Sequence, residues 1–398
     1  MNELRTLLTP EALTLLDELP PYESKADVLA LVSALRKAGH PAELVTAALA
    51  QSKLRSRASV KFGDFADSML FTEAGLEQAT RLQVAALHAG RYRVAGIERV
   101  ADLGCGIGSD ALAMSALGIA VTAVERDEVT ATLASYNLAP FEDTLVVNAD
   151  ATDIDLSFVD GVFLDPARRT AGHSNTRRVS SDDYSPSLDF CFGLAERMPT
   201  GIKLGPGLDR DLIPDSCEAQ WISVNGEVVE MGLWFGPLAR PDIGRAALLL
   251  TADGMHEMTA SSNAPDEAVG ELGRYLYEPD GAVIRARLIG DLARALDAHP
   301  IAPEIAYLSS AELTSTAFAQ VFEVKAVFPL DVKTLIGALK ARGIGTLEIK
   351  KRGVDIDPAE FRKKLKLSGP KAATLVLTRV GNERRAILAQ RIDHRSGH

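Results

Sequence analysis

The segment Val100-Ala101-Asp102-Leu103-Gly104-Cys105-Gly106-Ile107-Gly108-Ser109-Asp110 carries the strongest chemical signal in the chain. Glycines at three alternate positions permit a tight turn and let the backbone approach a ligand without Cβ atoms in the way. The helical pattern Asp110–Leu117 follows, and its first turn offers free N–H groups to polar ligand atoms. Several nucleotide-binding folds share such a turn, so alone it specifies none of them. Asp102 sharpens it, standing two residues before the first glycine, where dinucleotide dehydrogenases usually carry an apolar strand residue. The spacing is GxGxG, not GxGxxG. Glu125 ends the next β-rich run, Val121-Thr122-Ala123-Val124-Glu125, placed to accept from both hydroxyls of a ribose.

These residues need a scaffold that brings several strand ends to one edge. β-rich runs occur at Arg99–Leu103, Ala120–Val124, Leu145–Asn148, Gly161–Leu164, Ile202–Leu204 and Val228–Phe235. Helical patterns such as Asp110–Leu117 and Glu128–Leu138 lie between several of them. Such alternation predicts a parallel, doubly wound sheet, with Val228–Phe235 suited to an antiparallel edge hairpin. Ligands of open α/β sheets bind in loops at the carboxyl ends of the strands. One such loop carries Arg168, Arg169, Arg177 and Arg178 beside His173, Asn175 and Tyr184. Four arginines there suit phosphates. A solvated loop with local salt links to Asp182 and Asp183 is the plainer alternative.

Asp102, the GxGxG turn and Glu125 together resemble the class I S-adenosylmethionine-dependent methyltransferases, over roughly residues 70–235. The resemblance implies an α/β fold: a Rossmann-like methyltransferase core with a mostly parallel seven-stranded sheet. It implies that Gly104, Cys105, Gly106 and Gly108 line the methionine part of S-adenosylmethionine and that Asp102 orients its amino group. Glu125, with Arg126 beside it, would hold the ribose, and Asp150, with Ala151, the adenine amino group; Asp150 could instead cap a turn. Asp165 and Pro166, in Asp165-Pro166-Ala167-Arg168, would face the methyl group and the acceptor. Members acting on base amino groups commonly have Asp/Asn-Pro-Pro-aromatic at this point. Here Ala-Arg replaces Pro-aromatic, so a backbone acceptor is kept, whereas base stacking would fall to Arg168 lying flat. Asp165 is then the candidate base if the acceptor must lose a proton. Upstream, Phe71–Arg81 is a segment of the kind that closes over the cofactor, with Gln78 and Thr80 as candidate contacts.

The 398 residues suggest two or three domains. We expect a helical module at 1–58, the core at 59–240 and a further domain at 241–398. Cys105, Cys191 and Cys217 lack metal-ligand spacing, which argues against a zinc site and a disulfide framework, and no metal is expected. No apolar run approaches the length of a bilayer span and no signal peptide is read, so a cytoplasmic protein without a membrane partner is expected. The net charge of −11 is uneven, because residues 320–398 hold 17 Lys+Arg against 8 Asp+Glu. Lys350-Lys351-Arg352-Gly353 and Phe361-Arg362-Lys363-Lys364-Leu365-Lys366, with Glu278–Arg285 ahead of them, resemble the α+β THUMP-like domain appended to some bacterial methyltransferases. That resemblance implies RNA as partner, with Lys350, Lys351, Lys363 and Lys364 on its phosphates. Two alternatives stay open: a methyltransferase of a small molecule or protein, and a non-catalytic RNA-binding protein with a methyltransferase-like core.

Overall fold

In the computed structural model the described residues are 6–20, 22, 25–168, 183–263 and 265–392. The chain forms two compact units, residues 1–204 with 234–239, and residues 205–233 with 240–398.

The first unit opens with helices α1 (Pro10–Glu18), α2 (Lys25–Lys37) and α3 (Ala42–Phe62). Thr9 caps α1 by accepting from the Ala12 N–H at 3.3 Å, with Pro10 in the first turn. Pro41 stands just before α3, which runs 21 residues. Helices α4 (Glu73–Gln78) and α5 (Leu82–Val94) lead into the sheet.

Five parallel strands follow: β1 (Arg99–Leu103), β2 (Ala120–Glu125), β3 (Thr144–Asn148), β4 (Gly161–Leu164) and β7 (Thr200–Leu204). Helices α6 (Ser109–Ala116), α7 (Glu128–Leu138) and α8 (Leu188–Ala195) connect them. Every residue of β4 and β7 is buried, as expected of parallel strands covered on both faces. The register puts Leu103 opposite both Val124 and Leu164, and Leu164 opposite Ile202. The residues just past these partners (Gly104, Glu125, Asp165 and Lys203) therefore meet at one sheet edge. A short antiparallel ribbon, β5 (Ala167–Arg168) with β6 (Tyr184–Ser185), stands beyond β4.

The remaining sheet strands are β8 (Glu218–Val224), β9 (Glu227–Phe235), β10 (Arg245–Thr251) and β11 (Gly254–Ala260). Asn225 (φ 51°) and Gly226 (φ 85°) make the two-residue turn between β8 and β9. The full order is β11-β10-β8-β9-β7-β4-β1-β2-β3. This corrects two expectations. The sheet has nine strands, not seven, because β10 pairs parallel with β8 and then turns back through β11. And β9 lies inside the sheet, not at its edge; Glu230–Phe235 are buried in unbroken succession, which an exposed edge would not allow.

The second unit holds a seven-stranded sheet built from β12 (Tyr275–Pro279), β13 (His299–Pro300), β14 (Leu308–Ser310), β15 (Ala319–Pro329), β16 (Ile344–Lys351), β17 (Lys371–Val380) and β18 (Glu383–Ile392). Its order is β13-β14-β12-β15-β18-β17-β16. Pro279 ends β12. Asp280 caps α9 (Gly281–Arg285), and the backbone breaks at Arg287 before α10 (Ile289–Leu296). Helix α11 (Val332–Ala341) is capped by Asp331, and α12 (Pro358–Leu365) by Asp357, which accepts from the Glu360 N–H at 2.8 Å. Leu335, Leu339, Phe361 and Leu365 from these helices pack on Leu347, Leu375, Leu377 and Leu388 of the sheet.

Candidate active site

Gly104, Gly106 and Gly108 all have positive φ (95°, 57° and 89°). A Cβ on Gly104 would stand 3.3 Å from the Asp165 carbonyl oxygen, so the glycine-rich turn and the end of β4 approach backbone to backbone. At Gly106 a Cβ would point into open space, where a ligand has room. Glu125 Oε2 accepts from the Gly106 N–H (3.1 Å) and Oε1 from the Asp127 N–H (2.9 Å), which fixes its carboxylate against the turn. Cys105 is buried, and burial pushes its thiol well above the usual range, leaving an unreactive packing residue.

Under the turn lies a charged cluster drawn from five elements. Asp102 is 1 % exposed, and neither carboxylate oxygen has a hydrogen-bond partner among the described residues. Burial, then the charges of Asp110 and Asp165, hold its carboxyl well above the usual range; Lys203 pulls the other way without offsetting them. Ser109 Oγ, at the start of α6, is likewise buried and without a partner among the described residues. Asp110 is buried too, but well supplied. It accepts from Thr80 Oγ1 at 2.7 Å and meets His88 Nδ1 at 2.8 Å. Burial raises its carboxyl, and the bonds and charges of His88, Lys203 and Thr80 bring it below the ordinary value. Lys203 Nζ donates to Thr80 Oγ1 (2.9 Å) and lies 2.7 Å from Asp165 Oδ2. A chain of polar contacts thus runs His88–Asp110–Thr80–Lys203–Asp165, from α5 to the end of β4.

The N-terminal helices brace this arrangement. Gln51 exchanges two hydrogen bonds with the Phe71 backbone (2.7 and 3.0 Å), and Arg55 donates to the Met69 carbonyl (3.0 Å). Lys61 donates to the carbonyls of Leu76, Glu77 and Ala79, capping α4. From the other side, buried Asn137 joins the Leu70 backbone to the Ile107 carbonyl.

The other expected residues fare unevenly. Thr80 joins the buried cluster, whereas Gln78 is exposed at the end of α4. Asp150 is exposed and caps a short turn, accepting from the Thr152 N–H (3.0 Å) and Oγ1 (2.7 Å), which holds its carboxyl below the usual value. Arg126 donates to Ser185 Oγ at 3.0 Å, and Ala151 is half-buried beside Asp150. Pro166 is buried and Arg168 exposed in β5. Arg169, Arg177 and Arg178 lie outside the described residues. In the second unit Lys350 is committed to Glu278 (2.6 Å) and Gln320 (3.2 Å), a structural role and not an open cation. Lys363 reaches Glu360 at 2.6 Å, and Lys351 and Lys364 are exposed. Sequence reasoning missed His88, Lys203 and the bracing residues. Only a polar residue inside an apolar run, as Lys203 in Gly201-Ile202-Lys203-Leu204, could have signalled them.

Comparison with known proteins closes the gap between geometry and family. Two Mycobacterium tuberculosis proteins, from strains H37Rv and CDC 1551, are described as uncharacterised S-adenosylmethionine-dependent methyltransferases. Each is 33% identical over 340 residues, covering 82% of this chain and 91% of its own length. The chain belongs to the S-adenosylmethionine-dependent methyltransferases. It is an enzyme, and its cofactor is S-adenosylmethionine. A crystal structure from Porphyromonas gingivalis W83, assigned as a methyltransferase, has the same fold: TM-score 0.72 and 20% identity, covering 93% of this chain and all of that one. Residues 319–391 of the methyltransferase match the family described as THUMP domain-like, and residues 1–58 match a domain of unknown function. No helix among the described residues is long and apolar enough to cross a membrane.

Proposed function

We propose that this methyltransferase modifies a base of a structured RNA. The carrying observation is the backbone approach of Gly104 to Asp165, since a Cβ at Gly104 would lie 3.3 Å from the Asp165 carbonyl. It puts the turn that would hold the donor against the residues that would face the acceptor. S-adenosylmethionine supplies, when bound, a methyl group already activated on its sulfonium. The residues present fit it. Asp102 is a buried carboxylate lacking a partner among the described residues, suited to an incoming amino group, and Gly106 leaves open space beside it. Gly104, Cys105, Gly106 and Gly108 would line the methionine part, Glu125 and Arg126 the ribose, and Asp150 and Ala151 the adenine.

The work left to the chain is alignment and exclusion of water, and alignment supplies on the order of 7–11 kcal/mol in the best intramolecular cases. Lys203, at 2.7 Å, fixes the Asp165 carboxylate, and Pro166 fixes the backbone that follows. A proton lost by a base amino group would pass to Asp165. RNA is favoured over a small metabolite by the THUMP-like residues 319–391 and by the excess of 17 basic over 8 acidic residues from 320 to 398. The functional division that follows is a helical brace at 1–58, the catalytic core at 59–240 and an RNA-delivering region at 241–398.

The test offers radiolabelled cofactor together with RNA, protein and small metabolites from cells lacking this protein. Label in RNA, lost with Asp165→Ala, is the expected result. Label only in protein or in metabolites would replace RNA with that substrate class.

A further inference from the structure

The second unit contains a cluster of cations that the tail lysines do not explain. Arg210 and Arg285 line a cavity of about 380 Å³ with Pro206, Trp221, Asp209 and Asp211. Trp221, 1 % exposed, forms part of its wall; its Nε1 (3.3 Å) and Arg285 Nη1 (2.9 Å) both donate to the Pro206 carbonyl. Arg210 Nη2 donates to the Ile284 carbonyl at 3.3 Å, so each guanidinium is anchored on the segment that carries the other. A third arginine adjoins the site, because the Arg287 N–H donates to the same Ile284 carbonyl (3.2 Å). Burial and the like charges of Arg287 and Arg285 push the Arg210 guanidinium down from its ordinary value. Three guanidinium groups thus stand against the two carboxylates of the rim, Asp209 and Asp211.

Arg287 adds an independent sign. It occupies the left-handed position that ends helix α9, with φ 62°. The Leu288 N–H donates to the Val283 carbonyl (3.0 Å) and the Arg287 N–H to that of Ile284 (3.2 Å), a helix-ending motif in which glycine is the usual residue. A long cationic side chain stands where local backbone energy prefers none. Like charges gathered beside a cavity repel one another, and an anion relieves that repulsion.

We propose that Arg210, Arg285 and Arg287 form a phosphate-binding site for the backbone of the RNA substrate, separate from the tail lysines. The inference rests on the RNA reading above. Guanidinium forks match phosphate oxygens bidentately, and such contacts hold register without reading sequence. Trp221 and Pro206 make the wall rigid, so the arginines are presented preorganised.

Arg287→Gly separates this role from a structural one, because glycine suits the left-handed backbone and should leave the melting temperature unchanged or higher. The probe is fluorescently labelled bulk RNA from cells lacking the protein, bound by the full chain across a salt series. Arg287→Gly is expected to weaken binding by about 5-fold, and Arg210→Gln with Arg287→Gly by more than about 10-fold. The slope of log affinity against log salt should shrink by about 1–2. Cofactor affinity, measured alongside, should stay within about 2-fold of the wild type. Wild-type RNA binding that both variants retain, with the same slope, would overturn the site but leave the RNA reading intact. A wild type that binds the cofactor but no RNA would overturn both.

Discussion

The two sides of the proposed methyl-transfer site are built in opposite ways. The cofactor side is continuous in sequence: eleven residues from Val100 to Asp110 supply the turn, its carboxylate and the helix start, with Glu125 one strand away. Backbone does most of the work there. The acceptor side is assembled from Thr80, His88, Asp165 and Lys203, joined to the cofactor side through Asp110; their spacing along the chain follows no motif, and side chains do the work. A backbone device depends on a few glycines and fails locally. A side-chain cluster depends on burial and mutual charge, and it fails as a unit.

The sharpest break in this contrast should come at Gly106. Gly106→Arg fills the open space beside the turn and should reduce cofactor affinity at least about 100-fold in calorimetric titration. The melting temperature should fall by only about 2–4 °C, the shift expected for roughly 1 kcal/mol of backbone strain. Retained binding would mean that the turn is not where the cofactor lies.

Lys203→Met tests the other side. It should slow methyl transfer to RNA by about 100-fold, within the usual range for positioned proton-transfer groups, while cofactor affinity changes by less than about 3-fold. Partial recovery in Lys203→Arg would mark a positioning role for its charge. Equal losses of binding and rate would show that the two sides are not separable.

Asp102 links the two regions, and its sign is distinctive. Its folded-state pKa is raised, so its contribution to stability without cofactor falls as pH rises from the unfolded value through the folded one. Asp102→Asn should therefore raise the melting temperature at pH 7 by about 2–4 °C while weakening the cofactor about 10-fold. Asp110 has the opposite sign: its pKa is lowered, and its contribution is present above the unfolded value and lost as pH falls through the folded one. Asp110→Asn should lower the melting temperature at pH 7. A fall with Asp102→Asn would instead mean that Asp102 holds the fold together.

The smallest effect is expected in the tail. Lys363 pairs with Glu360 on an exposed helix face, side chains 73 % and 62 % exposed, where such pairs contribute at most a few tenths of a kcal/mol. Lys363→Gln with Lys364→Gln should leave the melting temperature within about 1 °C. It should weaken RNA binding by about 3-fold, less than loss of Arg210 and Arg287.

What sequence alone determined was whatever rests on local backbone geometry. Alternate glycines, an aspartate one residue before the end of a strand and a glutamate ending the next mark the strand–turn–helix and its proposed ligand side. Caps such as Asp127, Asp331 and Asp357 fix helix starts because each acts within three residues of itself. The break at Arg287 was not legible, since an apolar stripe continues across it and only the left-handed backbone reveals the stop. Nor were the two added strands, because β10 is placed by pairing with β8, distant in sequence, and β11 joins the sheet only by pairing with β10. The charged cluster was decided by the fold for the same reason. Lys203 and Asp165 are thirty-eight positions apart yet 2.7 Å apart in space, because β4 and β7 pair in register and deliver both to one edge. Lys350 shows the converse. It had the right residue type for binding, and the tertiary structure set it to local work, neutralising Glu278. Charge and residue type propose a role, and the partners that folding brings within hydrogen-bond distance decide whether the group is left to perform it.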